Sequence, residues 1–134
     1  MAVQVTAAKA SGFSEQWIKN WARKTGRLLR RSNDDIAVVF VGKAKIKALN
    51  KRYRAIDKVT DVLSFPAGEK GDLGDIFIAP AVARARAAAR GSSYKDHLAL
   101  LIVHSVLHLA GYDHHAEADS RAMAKMEKKI LSSF

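Results

Sequence analysis

The chain has 134 residues, 49% of them hydrophobic, and its 23 Lys and Arg against 13 Asp and Glu give a formal net charge of +10. This length and composition predict a single domain over residues 1–134 with a substantial core, and the basic excess favours polyanionic partners such as nucleic acid. The sequence has no cysteine, no signal-peptide pattern and no apolar run of membrane length, which excludes disulfides and thiolate metal sites and predicts a cytoplasmic protein without membrane contact.

The N-terminal part of the chain predicts a strand followed by a helix. Val3, Val5 and Ala7 alternate with polar residues at the period of a half-buried strand. Residues 11–14 supply turn and N-cap chemistry before a helix that gathers its large apolar side chains, Trp17, Trp21 and Leu28, on one face. We interpret the opposite, basic face as solvated, with phosphate tracking as the functional alternative; its residues are Lys19, Arg23, Arg27 and Arg30.

Hydrophobic periodicity and turn residues predict the remaining elements. The expected strands are Asp35–Val41, Thr60–Pro66 and Asp75–Ala79. The expected helices are Lys43–Arg54, with an apolar stripe of Ile46, Leu49 and Tyr53, then Pro80–Arg90, Tyr94–Ala110 and Glu117–Leu131. Pro66 is expected to end its strand, and Ala67 to Gly74 to form a loop. This order predicts an α+β fold in which helices pack against a small mixed β-sheet.

A cluster of histidines, HSVLHLAGYDH from His104 to His114, closes the apolar helix. His104 and His108 are one turn apart, which brings their Cβ atoms to about 5–6 Å, although two such histidines alone are more often core residues. Gly111 can end the helix in a left-handed conformation and turn the chain so that His114 returns to the same ion. The spacing is that of metzincin ligands, so it predicts one divalent metal ion, with zinc expected.

The residue after the first histidine bears on the reaction. Ser105 stands where the zincins have a glutamate that accepts a proton from water and delivers it to the leaving amine. Zinc held by three imidazoles with an open position lowers the pKa of a bound water to about 7, so hydroxide is available without that base. A phosphodiester suits such a site better than a peptide does, and the basic surface favours the same substrate.

Two blocks of the sequence resemble the YbeY family of bacterial endoribonucleases. HSVLHLAGYDH is similar to the signature H-G-x-L-H-L-x-G-Y-D-H, and LNKRYRAIDKVTDVLSFP, Leu49 to Pro66, is similar to the second block of the family. The resemblance implies a zinc-dependent endoribonuclease that cuts single-stranded RNA in ribosomal RNA maturation and ribosome quality control, with ribosomes or ribosome-associated proteins as partners. It implies that His104, His108 and His114 are metal ligands and that Arg54 is the main functional residue besides them.

The candidate residues outside the histidine triad each have a structural alternative. The Arg54 guanidinium is suited to stabilise the charge of a phosphate, and the alternative is a surface salt bridge. Asp113 could accept the second ring N–H of a ligand histidine or orient the metal-bound water. The alternative is that it caps the next helix. Asp61 and Ser64 could contact the substrate along the cleft, and the alternative is that they are polar residues at a sheet edge. His97 lies about 10 Å along the helix from His104, too far to bind the same ion.

Two functions of other classes stay open. One is a non-catalytic, ribosome-associated RNA-binding factor in which the metal is structural. The other is a metallopeptidase, which the ligand spacing suggests and Ser105 argues against. The family has glycine where this chain has Ser105 and Ala55, and neither difference removes a ligand. Attack by water and attack by the RNA 2′-hydroxyl are also both open.

Overall fold

The computed structural model describes residues 1–112 and 117–132, with the side chains of the second range described from Arg121 onward. Within this part of the chain there are four strands and six helices. In chain order they are β1 (Val3–Thr6), α1 (Ala8–Ser11), α2 (Glu15–Leu28), β2 (Asp35–Phe40), α3 (Lys43–Arg54), β3 (Val62–Glu69), β4 (Asp72–Ile78), α4 (Pro80–Arg90), α5 (Tyr94–Leu109) and α6 (Glu117–Ser132).

The four strands form one mixed sheet in the order β1-β2-β4-β3. The pairs β1·β2 and β2·β4 are parallel, whereas β3 runs antiparallel to β4 at the edge. The central strand β2 alternates buried Ile36, Val38 and Phe40 with less buried neighbours, the pattern of a strand with one face more deeply covered than the other. The α+β fold with a small mixed sheet is therefore confirmed.

The helices divide between the two faces of the sheet. Helix α5 lies in the main core with α2 and α6, and Ile76 and Ile78 of β4 point into the same core. The alternate residue Phe77 joins a smaller cluster on the other face, built around Ile46 of α3 and Leu63 of β3. In the part of the chain that the structure describes, no helix is long and apolar enough to cross a membrane.

The β3–β4 hairpin differs from the sequence prediction. Strand β3 does not end at Pro66 but continues to Glu69, and only Lys70 and Gly71 separate it from β4. Proline is tolerated because β3 is an edge strand, where a missing N–H costs no ladder bond on the open side. Opposite Pro66 lies Gly74, which has a φ of +131°. A Cβ atom at this position would lie 2.1 Å from the Phe65 carbonyl oxygen, so only glycine fits.

Helix α2 has its buried face rotated from the predicted one. Ile18 and Ala22 are fully buried and Trp21 nearly so, but Leu28 is 41% exposed because it is the last residue of the helix. The residues of the predicted basic face differ in exposure: Arg27 and Arg30 are exposed, whereas Lys19 and Arg23 are half-buried. Only the exposed pair is consistent with the interpretation of this side as a solvated face.

The start of α5 follows the predicted capping chemistry. The Ser93 hydroxyl accepts a hydrogen bond from the Asp96 N–H at 3.0 Å, and the Tyr94 hydroxyl donates to the Ser11 carbonyl at 2.6 Å. Burial raises the pKa of the Tyr94 phenol, and the neighbouring Arg84 guanidinium partly opposes that shift. These contacts fix the end of α5 that is remote from the histidine cluster.

Candidate functional site

Helix α5 reaches toward the surface along one narrow stripe. From His97 to Leu109 its residues are buried, except for a set spaced four apart that is half-buried: Leu100, His104 and His108. Residues i, i+4 and i+8 lie on one side of a helix, so both imidazoles emerge on the same line. The sequence prediction that His104 and His108 share a face is therefore confirmed.

Ser105 lies on a different side of α5 from the two histidines. It is 1% exposed, and its hydroxyl has no hydrogen-bond partner among the described residues. The side chain therefore occupies the core rather than the stripe that carries the imidazoles.

The end of α5 has the geometry predicted from Gly111. The Gly111 N–H donates to the His108 carbonyl at 3.1 Å, the Tyr112 N–H donates to the Leu107 carbonyl at 3.1 Å, and Gly111 has a φ of +107°. This pair of bonds is a Schellman motif, which ends the helix and turns the chain at Gly111. Tyr112 packs against the main core. Asp113, His114 and His115 follow at once and lie outside the described residues.

Helix α6 supplies a carboxylate to His104. The Nδ1 atom of His104 contacts the Glu127 Oε1 atom, and the two side chains are 32% and 16% exposed. A histidine that ligates a metal through one ring nitrogen generally donates the N–H of the other to a carboxylate or a carbonyl. The contact assigns Nδ1 to Glu127, so a metal ion ligated by this ring would bind through Nε2.

The described donors fit part of a metal site. Across residues 1–112 and 117–132, no group of three or more His, Asp or Glu side chains is placed to hold a metal ion. Two imidazoles one turn apart, one of them oriented by a carboxylate, are nevertheless a suitable donor pair for a divalent ion that prefers nitrogen ligands. The third donor expected from the sequence, His114, is outside these ranges.

Arg54 is the last residue of α3 and reaches across to β3. Its Nη2 atom donates to the Ser64 carbonyl at 2.7 Å, and its guanidinium carbon lies 5.4 Å from the centre of the Phe65 ring. Arg54 itself is exposed. The Ser64 contact uses a backbone oxygen and not the hydroxyl, so Ser64 holds Arg54 in place.

Asp61 is enclosed by two basic side chains. Its Oδ2 atom lies 2.9 Å from His97 Nε2, and its Oδ1 atom accepts from Arg86 Nη1 at 2.8 Å. The residue is 4% exposed, and its backbone carbonyl accepts from the Ala79 N–H at 2.9 Å. These contacts give Asp61 and His97 a structural role that connects β3, α4 and α5.

A cavity of about 820 Å³ opens beside the histidine stripe, between α2, α5 and α6. Trp17, Leu100 and Glu127 are among its lining residues. Glu127 thus stands between this cavity and His104.

Sequence reasoning missed Glu127 and the enclosure of Asp61. Glu127 is 23 residues from His104 in the chain, and nothing in the local pattern of α6 marks one of its charged residues as facing α5. Helical phase offers a partial signal, because Met123, Met126 and Ile130 define the packed side of α6 and Glu127 borders it.

The chain is similar to one family of known proteins over nearly its whole length. A family model described as Endoribonuclease YbeY matches residues 3–134. The Endoribonuclease YbeY of Acholeplasma laidlawii is 41% identical over 104 residues, which cover 76% of this chain and 76% of that protein. The Endoribonuclease YbeY of Chelativorans sp. is 37% identical over 129 residues, 91% of this chain and 77% of that protein.

A solved structure has the same fold. The solution structure of TM1509 from Thermotoga maritima superposes with a TM-score of 0.70 at 27% sequence identity. The superposition covers 97% of this chain and 87% of that chain.

Proposed function

The chain belongs to the YbeY endoribonuclease family, and we propose from this that it is a metal-dependent endoribonuclease acting on single-stranded RNA. The proposed process is ribosomal RNA maturation and ribosome quality control in the cytoplasm, with ribosomes or ribosome-associated proteins as partners. The observation that carries the proposal is that His108 and His104, the latter oriented by Glu127, share one face of α5 in a chain that matches the family model over residues 3–134.

We propose that His104, His108 and His114 hold one divalent ion, with zinc expected. When bound, such an ion acts as a Lewis acid that polarises a phosphate oxygen and makes water more acidic. Glu127 accepts the Nδ1 proton of His104, which fixes the ring orientation and presents Nε2. Asp113 is proposed to accept the second ring N–H of a ligand histidine.

Arg54 is proposed to bind and stabilise the phosphate of the RNA. Its guanidinium has five N–H donors, of which the Ser64 carbonyl takes one, and its guanidinium carbon lies over the Phe65 ring. The remaining donors suit two oxygens of one phosphate in a bidentate arrangement. The charge that develops on those oxygens during cleavage strengthens the interaction, so Arg54 lowers the barrier.

The deciding experiment is RNA cleavage by metal-stripped protein with and without added zinc. We expect zinc to restore cutting, His108→Ala to abolish it, and Arg54→Ala to lower the rate by on the order of 10²–10³-fold. Arg90→Ala, which removes an exposed arginine from the last turn of α4, is the matched control and should cut like the unmodified chain. All preparations must be purified identically, because contaminating ribonucleases cut without the protein.

Three outcomes would contradict the proposal. Equal cutting by every preparation would assign the activity to a contaminant. RNA affinity that survives His108→Ala, with no cutting by any preparation, would indicate a non-catalytic RNA-binding factor with a structural metal. Zinc-dependent hydrolysis of peptides in place of RNA would indicate a metallopeptidase.

A further inference from the structure

A short exposed segment beside Arg54 combines apolar and basic side chains. Residues 51–59, from the last turn of α3 toward β3, are all exposed. Three exposed large hydrophobic residues lie here: Tyr53 is 55% exposed, Ile56 49% and Val59 41%. Among the described residues, the only other large hydrophobic residue exposed to this degree is Leu28. Such clustering indicates a binding surface more strongly than single exposed apolar residues do.

Tyr53 is held firmly although it is exposed. Its ring meets Phe65 edge-on, with centroids 5.3 Å apart and planes at 63°, and Phe65 meets Phe77 in the same way at 5.8 Å and 70°. Phe65 and Phe77 belong to the smaller core cluster under α3. Tyr53 was predicted to belong to the apolar stripe of α3, and it extends that stripe beyond the edge of the core.

The surroundings of Tyr53 are strongly basic. The guanidinium carbon of Arg52 lies 5.2 Å from the centre of the Tyr53 ring, and Arg54 packs on Phe65. Between residues 43 and 58 the only acidic residue is Asp57, 4.0 Å from Lys47. The basic residues in this range are Lys43, Lys45, Lys47, Lys51, Arg52, Arg54 and Lys58.

We propose that Tyr53 is a platform on which one base of a single-stranded RNA stacks while the basic residues of α3 bind the flanking phosphates. Aromatic and guanidinium planes accept any base by its face, and only a base outside a duplex presents that face. The platform deepens the proposed function and rests on it, because it would select single strands next to the phosphate bound by Arg54.

The charge of the surface favours RNA over a protein partner. Ile56 and Val59 alone would suit an apolar protein contact. Seven basic side chains with one acidic side chain around them match a polyanion, and a held aromatic ring among arginines is the recurrent arrangement for unstacked bases.

The test is the equilibrium binding of a fluorescein-labelled single-stranded RNA and of its duplex, measured by anisotropy, with the RNA checked on a gel afterwards. We expect Tyr53→Ala to weaken single-strand binding by on the order of 5- to 150-fold, Tyr53→Leu to weaken it similarly, and Tyr53→Trp to retain it. Leu28→Ala removes an exposed apolar residue elsewhere and should bind normally. Lys51→Gln should reduce the magnitude of the slope of log K against log salt concentration by about 0.7, because one phosphate contact is lost. Tyr53→Ala should leave this slope unchanged.

Two results would overturn the platform. Binding by Tyr53→Leu as tight as that of the unmodified chain would indicate an apolar contact of the kind proteins use. Equal losses for single-stranded and duplex RNA in Tyr53→Ala would indicate a phosphate surface without stacking. Cleavage is scored separately on the gel, so a failure of the endoribonuclease proposal is distinguishable from a failure of the platform.

Discussion

At the scale of single residues, the contact between His104 and Glu127 gives an α6 side chain a part in the α5 site. A neutral imidazole carries its proton on one of two nitrogens, and the group that accepts the proton decides which nitrogen is left to bind a metal. Glu127 makes that choice for His104 through Nδ1. In the proposed metal site it is a positioning residue, since it would act on the ion only through the histidine.

We expect Glu127→Ala to weaken zinc binding by about 10- to 100-fold, because His104 loses the acceptor that orients it. Glu127→Gln should cost less, since an amide oxygen still accepts the Nδ1 proton. Competition with a chromogenic chelator measures the affinity without reference to RNA cleavage. Lys128→Ala, at the next and exposed position, is the control. An affinity of Glu127→Ala equal to that of the control would remove Glu127 from the site.

At the scale of secondary-structure elements, the local sequence is sufficient to predict where most helices and strands begin and end. Ser93, Gly91 and Gly111 mark helix ends that the structure reproduces, because caps act within a few residues of the chain. The predicted end of β3 at Pro66 is wrong because the effect of a proline depends on whether its strand lies at a sheet edge. Edge position is a property of the whole sheet, so the local sequence does not contain it.

The residue that follows helix α3 has a backbone conformation that an alanine side chain does not favour. Ala55 has a φ of +59° and a ψ of +27°, the left-handed conformation in which glycine has no steric penalty. We expect Ala55→Gly to raise the free energy of unfolding by about 0.5–1 kcal/mol, as the relief of strain exceeds the entropy that glycine adds to the unfolded chain.

The matched control for Ala55→Gly lies inside the same helix. Ala48→Gly, also exposed, should lower the free energy of unfolding by about 1 kcal/mol because it lies in the helix interior. Equilibrium unfolding in urea measures both. Changes of the same sign would contradict the conformational assignment of Ala55.

At the scale of the whole molecule, the contacts that sequence reasoning missed join residues far apart in the chain. Asp61 meets Arg86 across 25 positions and His97 across 36. Periodicity predicted the elements and the face shared by His104 and His108, but it carries no information on which helix packs beside which strand. Local sequence therefore suggests a cleft residue or a polar sheet-edge position for Asp61 and does not reveal that Arg86 and His97 enclose its carboxylate.

The enclosure of Asp61 predicts a large stability effect for its removal. Asp61→Ala leaves His97, whose side chain is 3% exposed, without its acceptor in the interior, so we expect the free energy of unfolding to fall by about 3 kcal/mol or more. Arg86→Ala leaves the carboxylate with its His97 partner and removes only a pair whose basic side chain is 48% exposed, so it should cost about 1 kcal/mol, less than Asp61→Ala. Urea unfolding of both variants compares the two ends of one carboxylate under the same conditions. Equal losses of unfolding free energy would mean that Asp61 stabilises the fold mainly through its pair with Arg86 of α4 and not through its contact with His97 of α5.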